Sequence, residues 1–313
     1  MNTWDADHAR KIDNNAVAEL ASRFGEAADI VSSQQRALEI VLESMDAAQF
    51  GTAVVLPVVA PEWMLTAVLR TRCQPILIDS GTASLSMNRT ILKEALDDLG
   101  DWPCVVVHYS PFGDAIHEEA LDIAKDTVTV LVTPNLPGPS PATAFSIFDM
   151  CPAMSKGALL ATNYADQHVR VRATIARSGD YVSPYEAAIA SKFFGKERIR
   201  AQAISEVAQT YTTQCKLRGL LPCLPTNQIV RHFPIMVKNA AYMQAFLRGN
   251  KIDSSVELNS LAQLPYVKAI VDKKFPNADA RHNHVLSLPT NIKPQLVPFI
   301  LDLVNSVEAR QDR

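Results

Sequence analysis

The first two-thirds of the chain alternates short, almost wholly apolar runs with longer stretches of helical periodicity, and few folds accommodate that alternation. A run as apolar as TAVVLPV (52–58) has no polar face to turn to water, so it reads as a strand buried on both sides, as in parallel α/β proteins. PILID (75–79), CVVVHY (104–109) and TVTVLV (127–132) read as further strands, and TAFSIF (143–148) and ALLATN (158–163) join them. Between them the spacing predicts helices over Asn15 to Phe24, closed by Gly25, and over Ser33 to Ala48. Another opens at Pro61-Glu62, where proline suits a first turn. Two more run from Asn88 to Leu99, stopped by Gly100, and from Asp114 to Lys125.

Helices then dominate: Gln167 to Arg177, Pro184 to Phe194, and Glu197 to about Lys216. RGLLPCLPTNQ (218–228) has two prolines and no periodicity, and is expected to link a large domain (1–217) to a small one (218–313). The small domain is expected to be α/β. It has a strand at 231–237, a helix from Ala240 to Arg248, a strand at Val285 to Leu288, and a last helix from Gln295 to Val307.

Composition removes several classes of function. Lys and Arg total 30 against 33 for Asp and Glu, so the net charge of -3 offers no basic field for nucleic acid. Apolar runs such as Thr52 to Ala60 are too short to span a bilayer, and MNTWDADHARKID carries charges where a signal peptide is apolar. The expectation is a cytoplasmic protein. The 5 cysteines are scattered with no C-x-x-C pair, which argues against a disulfide framework or a zinc ribbon. Only 11 glycines occur, and none forms a dinucleotide or P-loop phosphate motif.

Seven segments, in order, carry a resemblance. PILID is similar to a "P-v-f-v-D" strand, and VVVHYSPFGDAIHEEALDIAK (105–125) to a "V-H-x-x-G" strand with its helix, about two residues longer near Ser110-Pro111. FSIF (145–148) followed by KGALLATN (156–163) is similar to a stretch that carries a catalytic lysine, and SPYEAAIASKF (183–193) to an "s-p-l-q-A-A" helix. HFPIMV, LRGNKID and HVLSLP are similar to a strand, an "L-k-x-x-g-I" turn and an "L-s-L-P" strand. Together they resemble the DegT/DnrJ/StrS family of pyridoxal-phosphate-dependent sugar aminotransferases over nearly the whole chain. The resemblance implies a fold-type-I large domain with a mostly parallel seven-stranded sheet, a small C-terminal α/β domain, and a homodimer with sites at the subunit interface. It also implies amino transfer to a keto-sugar nucleotide.

That chemistry needs four things: a lysine for the Schiff base, a carboxylate on the pyridine nitrogen, donors at a helix N-terminus for the phosphate, and an aromatic on the ring. Carried over from the family, the lysine falls at Cys151 or, counted from Gly157, near Asp149; the nearest lysine, Lys156, comes five residues late. The carboxylate position holds Thr133, and the family's glutamine position holds Leu136. The phosphate turn "s-s-G-T-x-A-L" reads SSQQRAL (32–38), so Ser33 stays while Gln34 and Gln35 replace glycine and threonine; Gln35 or Arg36 is the candidate anion contact there. PVVAPEW (57–63) has small residues where the ring would lie. Ser146 keeps the family's phosphate-ligand position, whereas Asp180 and Tyr181 stand where a partner-subunit phosphate contact belongs.

Other residues carry two readings each. Cys151 is a small buried filler or a thiol nucleophile with His108, itself otherwise a structural residue at a strand end. His282 and His284 are a surface pair or the start of a metal site, and Arg170 and Arg172 a solvated helix face or contacts to a sugar diphosphate.

Three functions follow. The chain is a non-catalytic homologue kept as a nucleotide-sugar binder or as partner to an active aminotransferase paralogue, with pyridoxal phosphate bound non-covalently if at all. Alternatively it is an active pyridoxal- or pyridoxamine-phosphate enzyme, a transaminase or dehydratase, with unusual ligands. The third option is a different reaction through Cys151.

Overall fold

A computed structural model describes residues 27–81, 87, 89–110, 112, 127–133, 143–149, 157–180, 182, 202–215, 232–256 and 260–310. Seven strands form one sheet in the order β1-β7-β6-β5-β4-β2-β3. They are β1 (Ala27–Val31), β2 (Ala53–Pro57), β3 (Gln74–Ile78), β4 (Cys104–Tyr109), β5 (Val128–Thr133), β6 (Phe145–Asp149) and β7 (Ala158–Thr162). β2, β3, β4, β5 and β6 pair in parallel, while β7 runs antiparallel to both β6 and β1. This is the expected mostly parallel seven-stranded sheet.

The apolar runs do what their composition requires. All five residues of β2 and all five of β7 are buried, and successive side chains fill two opposite layers. On one face Val54, Leu56, Val105, Val107, Val130 and Phe145 meet the helical layer of α1 (Gln34–Ser44), α2 (Glu62–Arg70) and α4 (Ala165–Ser178). On the other, Val55, Ile78 and Val106 meet Leu92 and Ala95 of α3 (Arg89–Leu99). α1 lies at the centre of its layer, against α2, α4, β6 and β7. The predicted helix stop at Gly100 holds, in the left-handed region at φ 55°, and Gly179, which was not predicted, caps α4 in the same way at 67°; Gly25 lies outside the described residues.

A second core gathers around the antiparallel pair β8 (His232–Met236) and β9 (Val285–Pro289). α6 (Ala240–Gly249) and α9 (Val297–Arg310) supply Met243, Leu247, Ile300 and Val304 to it. The helix over 202–214 (α5), expected in the large domain, buries Val207, Ala208 and Tyr211 in this second core. Conversely α7 (Pro265–Ile270) and α8 (Pro276–Arg281), which the sequence did not announce, place Val267 and Ala278 in the large core beside Leu261 and Phe275. The predicted junction at residue 218 lies outside the described residues, as do the helices expected over Asn15 to Phe24, Asp114 to Lys125 and Pro184 to Phe194.

β1 also went unannounced. Its middle residue, Asp29, interrupts an apolar run, and its carboxylate is accommodated by His168 Nε2 at 2.9 Å and Arg172 Nε at 3.7 Å on α4.

Candidate functional site

Open parallel sheets bind ligands outside the carboxyl ends of their strands, at the point where the strand order reverses. Here β3 follows β2 to one side and β4 lies on the other, so that point is between the ends of β2 and β4. The residues leaving β2, Val58 to Ala60, are buried and apolar, and none offers a ring to stack on. β4 ends with His108 buried and its Nε2 without a hydrogen-bond partner; burial pushes the imidazole down to about 4, so it stays neutral near pH 7. Thr133 closes β5, 3% exposed, level with Phe148 of β6. A hydroxyl there has no negative charge with which to hold a pyridinium proton.

Ser33 is the N-cap of α1, in extended backbone, and its Oγ accepts the Arg36 N–H at 3.1 Å. Half-buried Gln34 opens the helix. The Gln35 side-chain amide donates to Glu39 Oε1 at 2.9 Å. Arg36 donates to Glu39 and Glu43, each at 2.9 Å, and its Nε stands 3.9 Å from Asp180 Oδ2. The Glu43 hydrogen bond, with Glu39 beside it, holds the Arg36 guanidinium above its ordinary range. Arg70 adds a 3.4 Å contact to Glu39, whose side chain is 4% exposed. Two guanidinium groups thus face three carboxylates. The Arg36 side chain is thereby engaged by carboxylates further along α1 and by Asp180.

Ser146, the retained position, lies on β6 between Leu131 and Ala161, with its Oγ 3.3 Å from Thr143 Oγ1. Asp149 ends the same strand. Leu136, Cys151, Lys156 and Tyr181 lie outside the described residues. Arg170 and Arg172 are exposed on α4, and Arg172 is drawn to Asp29. His282 and His284 form no joint site: the Nδ1–H of His284 donates to the Val237 carbonyl at 3.0 Å, while His282 Nδ1 is buried without a partner. Among the described residues no group of three His, Cys, Asp or Glu side chains is placed to hold a metal ion. None of their helices is long and apolar enough to cross a membrane.

Sequence reasoning missed Asp79 and Ser80, which follow β3 and hold α8 through hydrogen bonds to Asn277, Ala278 and Arg281. The D of PILID was visible, but its partners lie some 200 positions away. A cleft of about 520 Å³ opens on the helical layer, lined in part by Arg36, Glu43, Asp46, Thr71 and Arg177, and none of its lining residues belongs to a strand.

Against the requirements of pyridoxal phosphate these residues do not fit. Thr133, where the resemblance sets the ring-nitrogen carboxylate, is uncharged, and in the first turn of α1 Gln35 and Arg36 are hydrogen-bonded to Glu39 and Glu43.

No family model matches the sequence, and no curated protein matches it. Solved structures do. PseC of Helicobacter pylori, an aminotransferase involved in the biosynthesis of pseudoaminic acid, superposes with a TM-score of 0.81 at 13% identity, over 99% of this chain and 97% of that one. DesV of S. venezuelae, solved in complex with a ketimine intermediate, gives 0.77 at 16% identity over 98% and 96%. A DegT DnrJ EryC1 StrS aminotransferase of Brucella abortus gives 0.72 at 16% identity over 98% and 99%. The chain has the fold of these aminotransferases along essentially its full length.

Proposed function

We propose that the chain is a divergent DegT/DnrJ/StrS homologue that keeps the aminotransferase fold without transamination. Its retained task is to bind a nucleotide-sugar, as a homodimer or beside an active aminotransferase paralogue, in the biosynthesis of cell-surface sugars. One observation carries the reading: the first turn of α1 is closed on itself, with Ser33 on the Arg36 N–H, Gln35 on Glu39, and Arg36 between Glu39 and Glu43. A turn built to cradle phosphate leaves its donors free for it. Thr133 supports the same reading, because without a ring-nitrogen carboxylate the cofactor loses its electron sink.

The alternative, an active pyridoxal- or pyridoxamine-phosphate enzyme with unusual ligands, draws on Ser146, which the resemblance sets at the family's phosphate position and which is partly buried on β6. One experiment separates the two. Purified protein is incubated with pyridoxal phosphate, reduced with borohydride and analysed by peptide mass spectrometry, and in parallel its melting is followed with nucleotide-sugars. The expected result is no pyridoxyl adduct, at Lys156 or elsewhere, and a rise in melting temperature with a nucleotide-sugar. A stoichiometric adduct on Lys156 together with amino transfer would overturn the proposal and establish the alternative.

A further inference from the structure

The segment from Ser260 to Arg281 begins and ends in the small domain but is anchored in the large one. At its start the Leu261 N–H donates to the Val58 carbonyl at 2.7 Å, just past the end of β2. At its far end the Asp79 carboxylate, just past β3, accepts from the N–H groups of Asn277 at 2.9 Å and Ala278 at 3.0 Å. Asn277 Nδ2 donates to the Ser80 carbonyl at 2.9 Å, and Arg281 Nη1 to the Ser80 hydroxyl at 3.0 Å. Between these ends Leu261, Val267, Phe275 and Ala278 are buried in the large core, and the Tyr266 hydroxyl donates to Glu62 on α2. Four residues beyond Arg281 the chain enters β9, and just before it the Asn283 carbonyl accepts the Ala240 N–H at 2.9 Å and the His284 carbonyl that of Val237 at 2.8 Å.

We propose that residues 260–281 form a strap that ties the β8–β9 domain to the carboxyl ends of β2 and β3, with Asp79 and Ser80 as its latch. The two cores then open together rather than as hinged bodies. Domains of one chain ordinarily move about an exposed and rather polar interface. Here the joint holds apolar side chains and a guanidinium only 5% exposed. Sliding the strap away would take the Ser80 hydroxyl from the Arg281 guanidinium and the Asn277 and Ala278 N–H groups from the Asp79 carboxylate, which is costly at buried positions. The inference does not depend on whether pyridoxal phosphate binds.

Hydrogen exchange on the full chain tests it, read residue by residue for the wild type and Asp79→Ala. In the wild type the amides of Leu261, Asn277 and Ala278 are expected to exchange as slowly as those of Val130 to Val132 in β5. In Asp79→Ala the strap amides are expected to speed up roughly fivefold to tenfold, the effect of losing a capping carboxylate, while β5 and β8 keep their protection. If Asp79→Ala does not fold, Asn277→Ala, which removes only the side-chain bond to Ser80, is read the same way with a smaller acceleration. Strap amides that already exchange faster than both cores in the wild type, or that stay unchanged in the folded variant, would overturn the proposal.

Discussion

The side-chain amide of Gln35 donates to the carboxylate of Glu39 at 2.9 Å, one turn further along α1, and Glu39 is 3% exposed. Glu39 is therefore a buried carboxylate held by two hydrogen-bond donors, Gln35 and Arg36, and by an ion-pair contact with the largely exposed Arg70. The geometry turns the first turn of α1 from an anion-receiving end into the lid of an internal ion cluster.

Removing one partner from that cluster should cost more than the pair is worth. Arg36→Ala leaves the Glu39 carboxylate with Gln35 and Arg70 only, and is expected to destabilise the protein by about 1–3 kcal/mol. Arg36→Ala combined with Glu39→Gln is expected to cost less than the sum of the two single changes, because the orphaned charge is gone. Urea denaturation of the four proteins measures this, and strict additivity would count against the cluster.

His108 predicts an acid-side loss of stability. An unfolded chain takes up a proton at this residue below about pH 6.5, whereas burial delays uptake in the folded chain until about pH 4. The unfolded state binds more protons across that window, so stability is full above it and falls as the pH drops through it. At about 1.4 kcal/mol per pH unit the loss reaches about 3 kcal/mol at most. Stability measured from pH 7 to pH 4 is expected to be flatter in His108→Leu than in the wild type; parallel profiles would refute the assignment.

Tyr211 predicts a gain. Its ring stacks on Phe233 with centroids 5.0 Å apart, but its hydroxyl is buried with no hydrogen-bond partner, and burial, aided by Cys215, raises the phenol above its ordinary range. Tyr211→Phe keeps the stack and removes a desolvated polar atom, so it is expected to stabilise the second core by up to about 1–2 kcal/mol. A lower melting temperature in the variant would mean the hydroxyl is satisfied after all.

The parts of the fold that could be read from sequence were those decided locally. Strands such as β2 and β4 declare themselves because every residue must be apolar when both faces are covered, and helix ends at Gly100 and Pro61 follow from backbone chemistry. β1 could not be read this way, because Asp29 fits a strand only once His168 has come alongside. The strap was hidden for a similar reason. Its helices are 6 residues each, too short to show a periodicity, and their apolar side chains serve a core built by residues far earlier in the chain. At the candidate site the substitutions at Gln34, Gln35 and Thr133 were plain in the sequence. The ion cluster around Arg36 was not, since the contact of Asp180 with Arg36 joins positions that only the fold brings together.

Among the described residues β1 sits at the border of its sheet and pairs with β7 alone. Of the described strands of the sheet, the earliest in the chain is thus seated by the latest, and the five others are made in the interval. Until β7 arrives, Ala27–Val31 is a free edge with unsatisfied backbone groups, the kind of segment that recruits strangers during synthesis. Asp29, placed at its centre, gives that waiting strand a charge to keep neighbours off and later gives His168 something to hold.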